Sequence, residues 1–194
     1  VMLAGMGMGR EISSWSRYSP ASITASDYFS YARAWSDMSA KVASSNDSTI
    51  LKFEQVDLAR PLPYPDNSFD IIGSEAIFEH CGDLSSVLSQ MFRVVRPGGY
   101  IYATFGPLYT SCGGDHYSGE FSLEHAYDHL LLGPEEYAER VRRTPIHTDD
   151  QQEDFRTWID HGLFSYLRYD DYINLFLQQG VITFLQVIFH PQAN

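Results

Sequence analysis

The sequence predicts an α/β domain: a doubly wound, mostly parallel sheet with helices on both faces and a helical insertion after the fifth strand. Three observations carry that prediction. Short apolar runs alternate with segments of helical apolar spacing five times between residues 1 and 106, as parallel strands joined by crossover helices do. A glycine cluster (Gly5, Gly7 and Gly9) separates the first apolar run from the first helical segment. The alternation lapses from Pro107 to about residue 162 and then resumes, which marks an insertion into a regular layout.

In chain order, residues 1–4 form a buried-strand candidate, and residues 10–16 carry a helical pattern with Ile12 and Trp15 inward before Pro20 breaks it. Residues 22–25 read as a second strand ending at Asp27. Residues 28–42 set Phe29, Ala32, Trp35 and Met38 at helical spacing. After a polar loop, residues 50–56 form a third strand that ends at Asp57. Pro61, Pro63 and Pro65 exclude helix or central strand from the next segment. Residues 69–72 are a fourth strand, and residues 84–95 a helix with Val87, Leu88, Met91, Phe92 and Val95 on one side. Pro97-Gly98-Gly99 stops that helix and turns the chain into a fifth strand over residues 100–105. Within the insertion, residues 123–132 and 134–143 suggest two helices, and residues 149–154 a solvated acidic stretch. Residues 169–179 read as a helix stopped at Gly180, and residues 181–189 as a last strand. The domain reading is a core over 1–106, a lid over 107–165, and 166–194 completing the core. Because Val1 opens the chain in an apolar run without a Met, the core is expected to be truncated at its N-terminus.

Composition narrows the function classes. Lys and Arg number 13 against 25 Asp and Glu, a net charge of −12 that repels phosphate backbones, so no nucleic-acid partner is expected. Cys81 and Cys112 are too few for a disulfide framework or a zinc set, and read as reduced thiols of a cytoplasmic protein. No apolar run approaches the ~18 residues that cross a bilayer, and no basic-then-apolar leader opens the chain, so no membrane partner is expected.

In doubly wound sheets ligands lie outside the carboxyl ends of the strands. Gly5, Gly7 and Gly9 stand at the first such end, where glycines let backbone amides approach a carboxylate or phosphate. Arg10 occupies the place where a nicotinamide-type fingerprint needs its next glycine. Asp27, at the end of the second strand, suits two ribose hydroxyls. Asp57, followed by apolar Leu58, suits an adenine amino group with its ring face covered. Together they point to a nucleoside site.

The run from Asp57-Leu58 through Pro63-Tyr64-Pro65-Asp66-Asn67-Ser68-Phe69-Asp70-Ile71-Ile72, then Glu79-His80, then Arg93-Val94-Val95-Arg96-Pro97-Gly98-Gly99, resembles the class I S-adenosylmethionine-dependent methyltransferases, in the small-molecule subgroup called methyltransferase type 11. The similarity covers roughly residues 1–106 and resumes over about 167–189. It implies a Rossmann-like, seven-stranded sheet with the last strand antiparallel. It also implies S-adenosyl-L-methionine as methyl donor, S-adenosyl-L-homocysteine as product, and a small-molecule acceptor. Residue by residue, the resemblance implies that Gly5, Gly7 and Gly9 line the methionine part of the donor. Asp27 would hold the ribose with Tyr28 beside the adenine, Asp57 with Leu58 would read the adenine, and Ser74 would lie near the donor. Leu3 departs from the family, which usually has an acidic residue there; a non-catalytic cofactor-binding or scaffold protein is the alternative.

Methyl transfer is an in-line displacement from an already activated sulfonium carbon, so alignment and desolvation are the protein's main work. A base is needed only for a hydroxyl, a protonated amine or an acidic carbon. His80, at a family position often filled by His, and His116, in the glycine-rich run 113–116, are the candidates. Each also has a plainer role open to it, His80 as a hydrogen-bonded structural imidazole and His116 as loop surface. His125 and His129, with Glu124 and Asp128, have the i, i+4 spacing of a metal face but read as a polar helix surface, so no metal is expected. Tyr109, Tyr117, Tyr137, Phe164 and Tyr166 either line an acceptor pocket or form the insertion's own core.

Overall fold

The computed structural model describes residues 1–44, 48–117, 123–143, 159 and 161–179. Its sheet has five parallel strands: β1 (Met2–Ala4), β2 (Ser22–Asp27), β3 (Ile50–Gln55), β4 (Phe69–Glu75) and β5 (Val95–Thr104), in the order β3-β2-β1-β4-β5. Three helices make the crossovers: α1 (Ile12–Ser16), α2 (Ala32–Ser44) and α3 (Leu84–Val94). Beyond the sheet lie α4 (Asp128–Leu131), α5 (Pro134–Arg143) and α6 (Tyr169–Gln178). The α/β fold is the expected one.

β1 pairs with β2 on one side and β4 on the other, so the chain winds outward in two directions from β1. Successive side chains of a strand point to opposite faces. Met2 and Ala4 accordingly join one core with Ile72, α3 (Leu84, Val87, Leu88, Met91, Val94) and Tyr172 of α6. Leu3 joins the other, with Ile12 of α1 and Ile23 and Ala25 of β2. No face of β1 reaches water, and its three residues are at most 1% exposed. This is why the run reads as continuously apolar.

Four elements differ from expectation for local reasons. The second helix begins at Ala32, because Asp27 Oδ1 accepts the Phe29 N–H at 2.9 Å and holds the chain in a side-chain-capped turn. Tyr31 rather than Ala32 is therefore the buried residue at the helix entrance. β4 continues to Glu75. β5 starts at Val95, which pairs with Phe69, and the ladder resumes at Ile71 with Tyr100; the Pro97-Gly98-Gly99 turn is thus an irregularity inside the strand. The helix expected over 123–132 is a 3₁₀ turn (Leu123–His125) followed by the single-turn α4. The acidic stretch 149–154, Gly180 and the last strand over 181–189 lie outside the described residues. Among the described residues no helix is long and apolar enough to cross a membrane.

The proline-rich loop after β3 is irregular but pinned. Arg93 of α3 donates to the carbonyls of Leu62 (3.0 Å) and Tyr64 (2.8 Å) and pairs with Asp66 (2.8 Å). Tyr64 donates its hydroxyl to Glu54 at 2.6 Å. These bonds fix the segment that follows Asp57.

Candidate active site

At the carboxyl ends of β1, β2 and β4 lies a cavity of about 430 Å³, within the range of small-molecule sites. Gly5, Gly7, Asp27, Tyr28, Asp57, Leu58 and His80 all line it. Gly9, Ser74 and His116 are not among its lining residues. Gly9 shapes the turn into α1, donating to the Met6 carbonyl and accepting from Ile12. Ser74 is buried within β4, between Ala4 of β1 and Ala103 of β5.

The glycine loop is held by the strand behind it. Gly5 has φ +70°, and a Cβ there would stand 1.9 Å from Ile77 Cγ1, so no side chain fits. Gly7 donates its N–H to Asp27 Oδ2 (2.8 Å) and accepts the Trp35 indole N–H (2.7 Å), which clamps its peptide from both sides. Asp27 therefore has a local task that the strand-end reading did not include: its two oxygens take the N–H groups of Gly7 and Phe29. Burial pushes its pKa up, against the pull of the Phe29, Gly7 and Tyr28 amides. An ionised carboxylate has about four lone-pair sites, so two remain for a pair of ligand hydroxyls. Asp57 Oδ1 accepts the Ala59 N–H at 2.9 Å beside buried Leu58. Leu3, in the usual acidic place, is fully buried in the core. Glu11 and Glu75 nevertheless line the cavity, and burial and the nearby Glu11 charge raise the Glu75 pKa. With Asp27, Asp57 and Asp83, five carboxylates line the cavity against the single Lys or Arg side chain, Arg10, among its described lining residues, an arrangement that favours a cationic ligand.

A second group of residues meets at the cavity wall. β4 leads into a 3₁₀ turn, Phe78–His80, which carries Glu79 inward until it is fully buried. Glu79 Oε1 accepts the Gly106 N–H (3.0 Å), its carbonyl accepts the Ser165 N–H (2.8 Å), and burial pushes its carboxyl up to about 7. His80 Nδ1 lies 2.8 Å from the Leu163 carbonyl. A carbonyl only accepts, so Nδ1 carries the proton and the lone pair sits on Nε2. Burial, reinforced by nearby His116, lowers the His80 pKa to about 4, so the imidazole is neutral at physiological pH. The His116 ring centre is 4.8 Å from that of His80, its backbone is left-handed (φ 60°), and it bonds the Pro107 carbonyl. The sequence thus named both histidines, and the fold makes them neighbours. It missed Glu79 as a buried acid, although the Glu79-His80 pair stood in the motif.

Of the polar helix surface expected around His125 and His129, Glu124 is exposed and His125 partly so, but Asp128 and His129 are buried. His129 donates Nε2–H to the Tyr109 carbonyl (2.7 Å), with Nδ1 3.8 Å from buried Asp115. Asp128 pairs with Arg140 (2.8 Å) and His125 (3.2 Å). These groups face different partners and tie the insertion together.

A sequence model of a family described as "Methyltransferase domain" matches residues 2–103. Among curated proteins, malonyl-[acyl-carrier protein] O-methyltransferase of Salmonella typhimurium is 33% identical over 86 residues, covering 37% of this chain and 32% of that protein. Glycine/sarcosine/dimethylglycine N-methyltransferase of Actinopolyspora halophila is 44% identical over 43 residues, covering 22% of this chain and 8% of that one. The chain thus matches a third or less of either relative's length. A crystal structure of an S-adenosylmethionine-dependent methyltransferase from Aquifex aeolicus aligns with 55% of this chain and 60% of its own, at 19% identity and a TM-score of 0.45.

Proposed function

The chain belongs to the methyltransferase domain family, and from that premise we propose that it transfers a methyl group from S-adenosyl-L-methionine to a small-molecule acceptor. The observation that carries the reading is the cavity itself: a clamped glycine loop facing strand-end Asp27 and Asp57 and three further carboxylates. Bound there, S-adenosyl-L-methionine supplies a methyl carbon on a positively charged sulfur, and the C–S electron pair leaves with S-adenosyl-L-homocysteine. Asp27 accepts the two ribose hydroxyls on its remaining lone pairs, with Tyr28 beside the adenine. Asp57 accepts from the adenine amino group while Leu58 covers the ring. Gly5 and Gly7 let the methionine portion approach the backbone, and Gly9 and Ser74 support that loop and the sheet beneath it. Glu11 and Glu75 face the cationic end of the donor.

His80 stands at the cavity wall as a neutral imidazole whose Nε2 can take a proton from an acceptor hydroxyl or amine. His116, its ring tilted 51° to that of His80, carries the same task from the insertion. Leu163 of the insertion lines the cavity, and a lid role for residues 107–165, of which 118–122, 144–158 and 160 lie outside the described residues, would keep water from the transfer. The small-molecule acceptor is supported by the relative named for glycine, sarcosine and dimethylglycine, whereas the other is named for a malonyl group on an acyl-carrier protein. Two free cysteines support a cytoplasmic setting.

Titration calorimetry with S-adenosyl-L-methionine tests the reading, and absence of binding overturns it. Leu3 favours a second reading, a non-catalytic cofactor-binding relative. Donor binding without transfer to any acceptor in a broad screen selects that one.

A further inference from the structure

We propose that Glu79, His80 and His116 hold one divalent metal ion of the zinc, iron or manganese class in the wall of the cavity. One ligand atom from each of the three lies within 4.8 Å of the others. The centre of a triangle with sides of that length is about 2.8 Å from each corner, and metal bonds from His nitrogen or carboxylate oxygen are about 2.0–2.2 Å, so sub-ångström movements close the site. Two imidazoles and one carboxylate are a donor set for these metals, whereas magnesium and calcium prefer oxygen throughout.

Three observations besides proximity support the site. The first is its outer hydrogen bonding. His80 gives its Nδ1–H to the Leu163 carbonyl, His116 bonds the Pro107 carbonyl, and Glu79 Oε1 takes the Gly106 N–H. Metal-binding histidines almost always donate the second ring N–H in this way, which fixes tautomer and ring orientation. The second is Glu79 Oε2, buried and without a hydrogen bond in a residue that is 0% exposed. A carboxylate oxygen left so is unfavourable, and a cation removes the penalty. The third is the left-handed backbone of His116, a conformation that costs a non-glycine residue free energy and collects at functional sites.

What the ion does rests on the methyl-transfer reading. His80 belongs both to the metal set and to the cavity lining, so the ion's open positions lie beside the acceptor. There it takes the place of His80 Nε2 in activating the acceptor: it polarises an acceptor oxygen and lowers its pKa, with the proton released to solvent.

The test is cobalt titration of the whole chain after dialysis against a chelator. Co²⁺ should bind one equivalent with visible d–d absorption, and Zn²⁺ should bleach it. His116→Ala and, as a second variant at the same loop position, His116→Gln should lower Co²⁺ affinity at least about tenfold, with circular dichroism confirming the fold. Glu79→Gln should do likewise. Colourless binding, or wild-type affinity in both folded His116 variants, overturns the proposal. Calorimetry with S-adenosyl-L-methionine on the metal-free protein separates the two readings. Donor binding with no cobalt site overturns the metal alone, and a cobalt site with no donor binding overturns methyl transfer alone.

Discussion

Replacing Asp27 with alanine should both weaken donor binding and loosen the fold, and the structure gives the proportions. The carboxylate holds two backbone N–H groups, Gly7 at 2.8 Å and Phe29 at 2.9 Å, in a side chain only 6% exposed. Hydrogen bonds to charged groups contribute about 1.5–3 kcal/mol each. Water entering from the cavity recovers part of that, so a net loss of about 2–4 kcal/mol is expected, or roughly 5–15 °C in Tm. Donor affinity should fall at least about tenfold, since two ribose contacts disappear and the Gly7 peptide loses one of its two clamps. Asp27→Asn sharpens the test. The carboxamide keeps the shape but has one acceptor oxygen, while two N–H donors face it, so about half the stability loss should remain. The pH dependence has a definite sign. Burial raises the Asp27 pKa, so the native state keeps this proton to higher pH than the unfolded chain does. Its contribution is fullest below the ordinary aspartate value of 3.8 and declines as pH rises through the raised pKa. The stability gap between wild type and Asp27→Asn should therefore be wider in acid than at neutral pH. Thermal unfolding at two pH values and calorimetry with S-adenosyl-L-methionine measure all three quantities. Unchanged donor affinity in Asp27→Ala refutes the ribose assignment, and an unchanged Tm refutes the clamp.

Gly5→Ala should lower stability by about 1–2 kcal/mol for the left-handed backbone alone and displace Ile77 from the cavity wall. Donor affinity should drop with it, whereas Gly133→Ala, where a Cβ meets nothing within 4 Å, should leave binding unchanged. Tyr172→Phe removes a buried hydroxyl that donates to the Phe78 carbonyl (3.1 Å) and lies 2.5 Å from Ser165 Oγ; a loss of about 1–2 kcal/mol should appear in thermal melts, and no loss would mean these bonds contribute nothing. Arg93→Ala should cost about 1–3 kcal/mol and open residues 60–67 to limited proteolysis, and wild-type resistance would contradict the pinning role. His116→Ala should reduce turnover far more than donor affinity, because His116 lies outside the cavity lining; full turnover on the natural acceptor would make this histidine a bystander.

The fold was legible because its signals are local. β1 is buried on both faces, so its apolar run needs no partner to be recognised. α3 announces itself by Val87, Leu88 and Met91 on one side, and the structure adds Asp83, whose carboxylate accepts the Ser86 N–H at 3.0 Å as an N-cap. Its boundaries slipped where a side chain competes with the backbone ladder. Phe29 fits helical spacing, but the bond from its N–H to Asp27 delays the helix by a turn, and no apolar period reports that. The insertion was harder, since its interior is polar. His129 looks like a surface residue until Asp115 and the Tyr109 carbonyl come to it from positions 14 and 20 residues earlier in the chain.

In the site, carboxylates at strand ends could be read because topology sends every such end to one edge. Leu3 shows where that reasoning stops. A leucine in the usual acidic place looks like a lost ligand contact, yet in the structure it seals the second core against Ile12 and Ile23. To the negative field of Asp27, Asp57 and Asp83 at the cavity, Glu11 after the glycine loop and Glu75 at the end of β4 add two charges. The Glu75 pKa is raised partly by the Glu11 charge, so the two carboxylates share a field that a single cation would relieve. A ligand with a positive centre between them gains from both. Glu11→Gln and Glu75→Gln together should accordingly weaken S-adenosyl-L-methionine more than S-adenosyl-L-homocysteine, whose sulfur is uncharged, and equal losses for the two would show that the carboxylates do not sense the sulfonium.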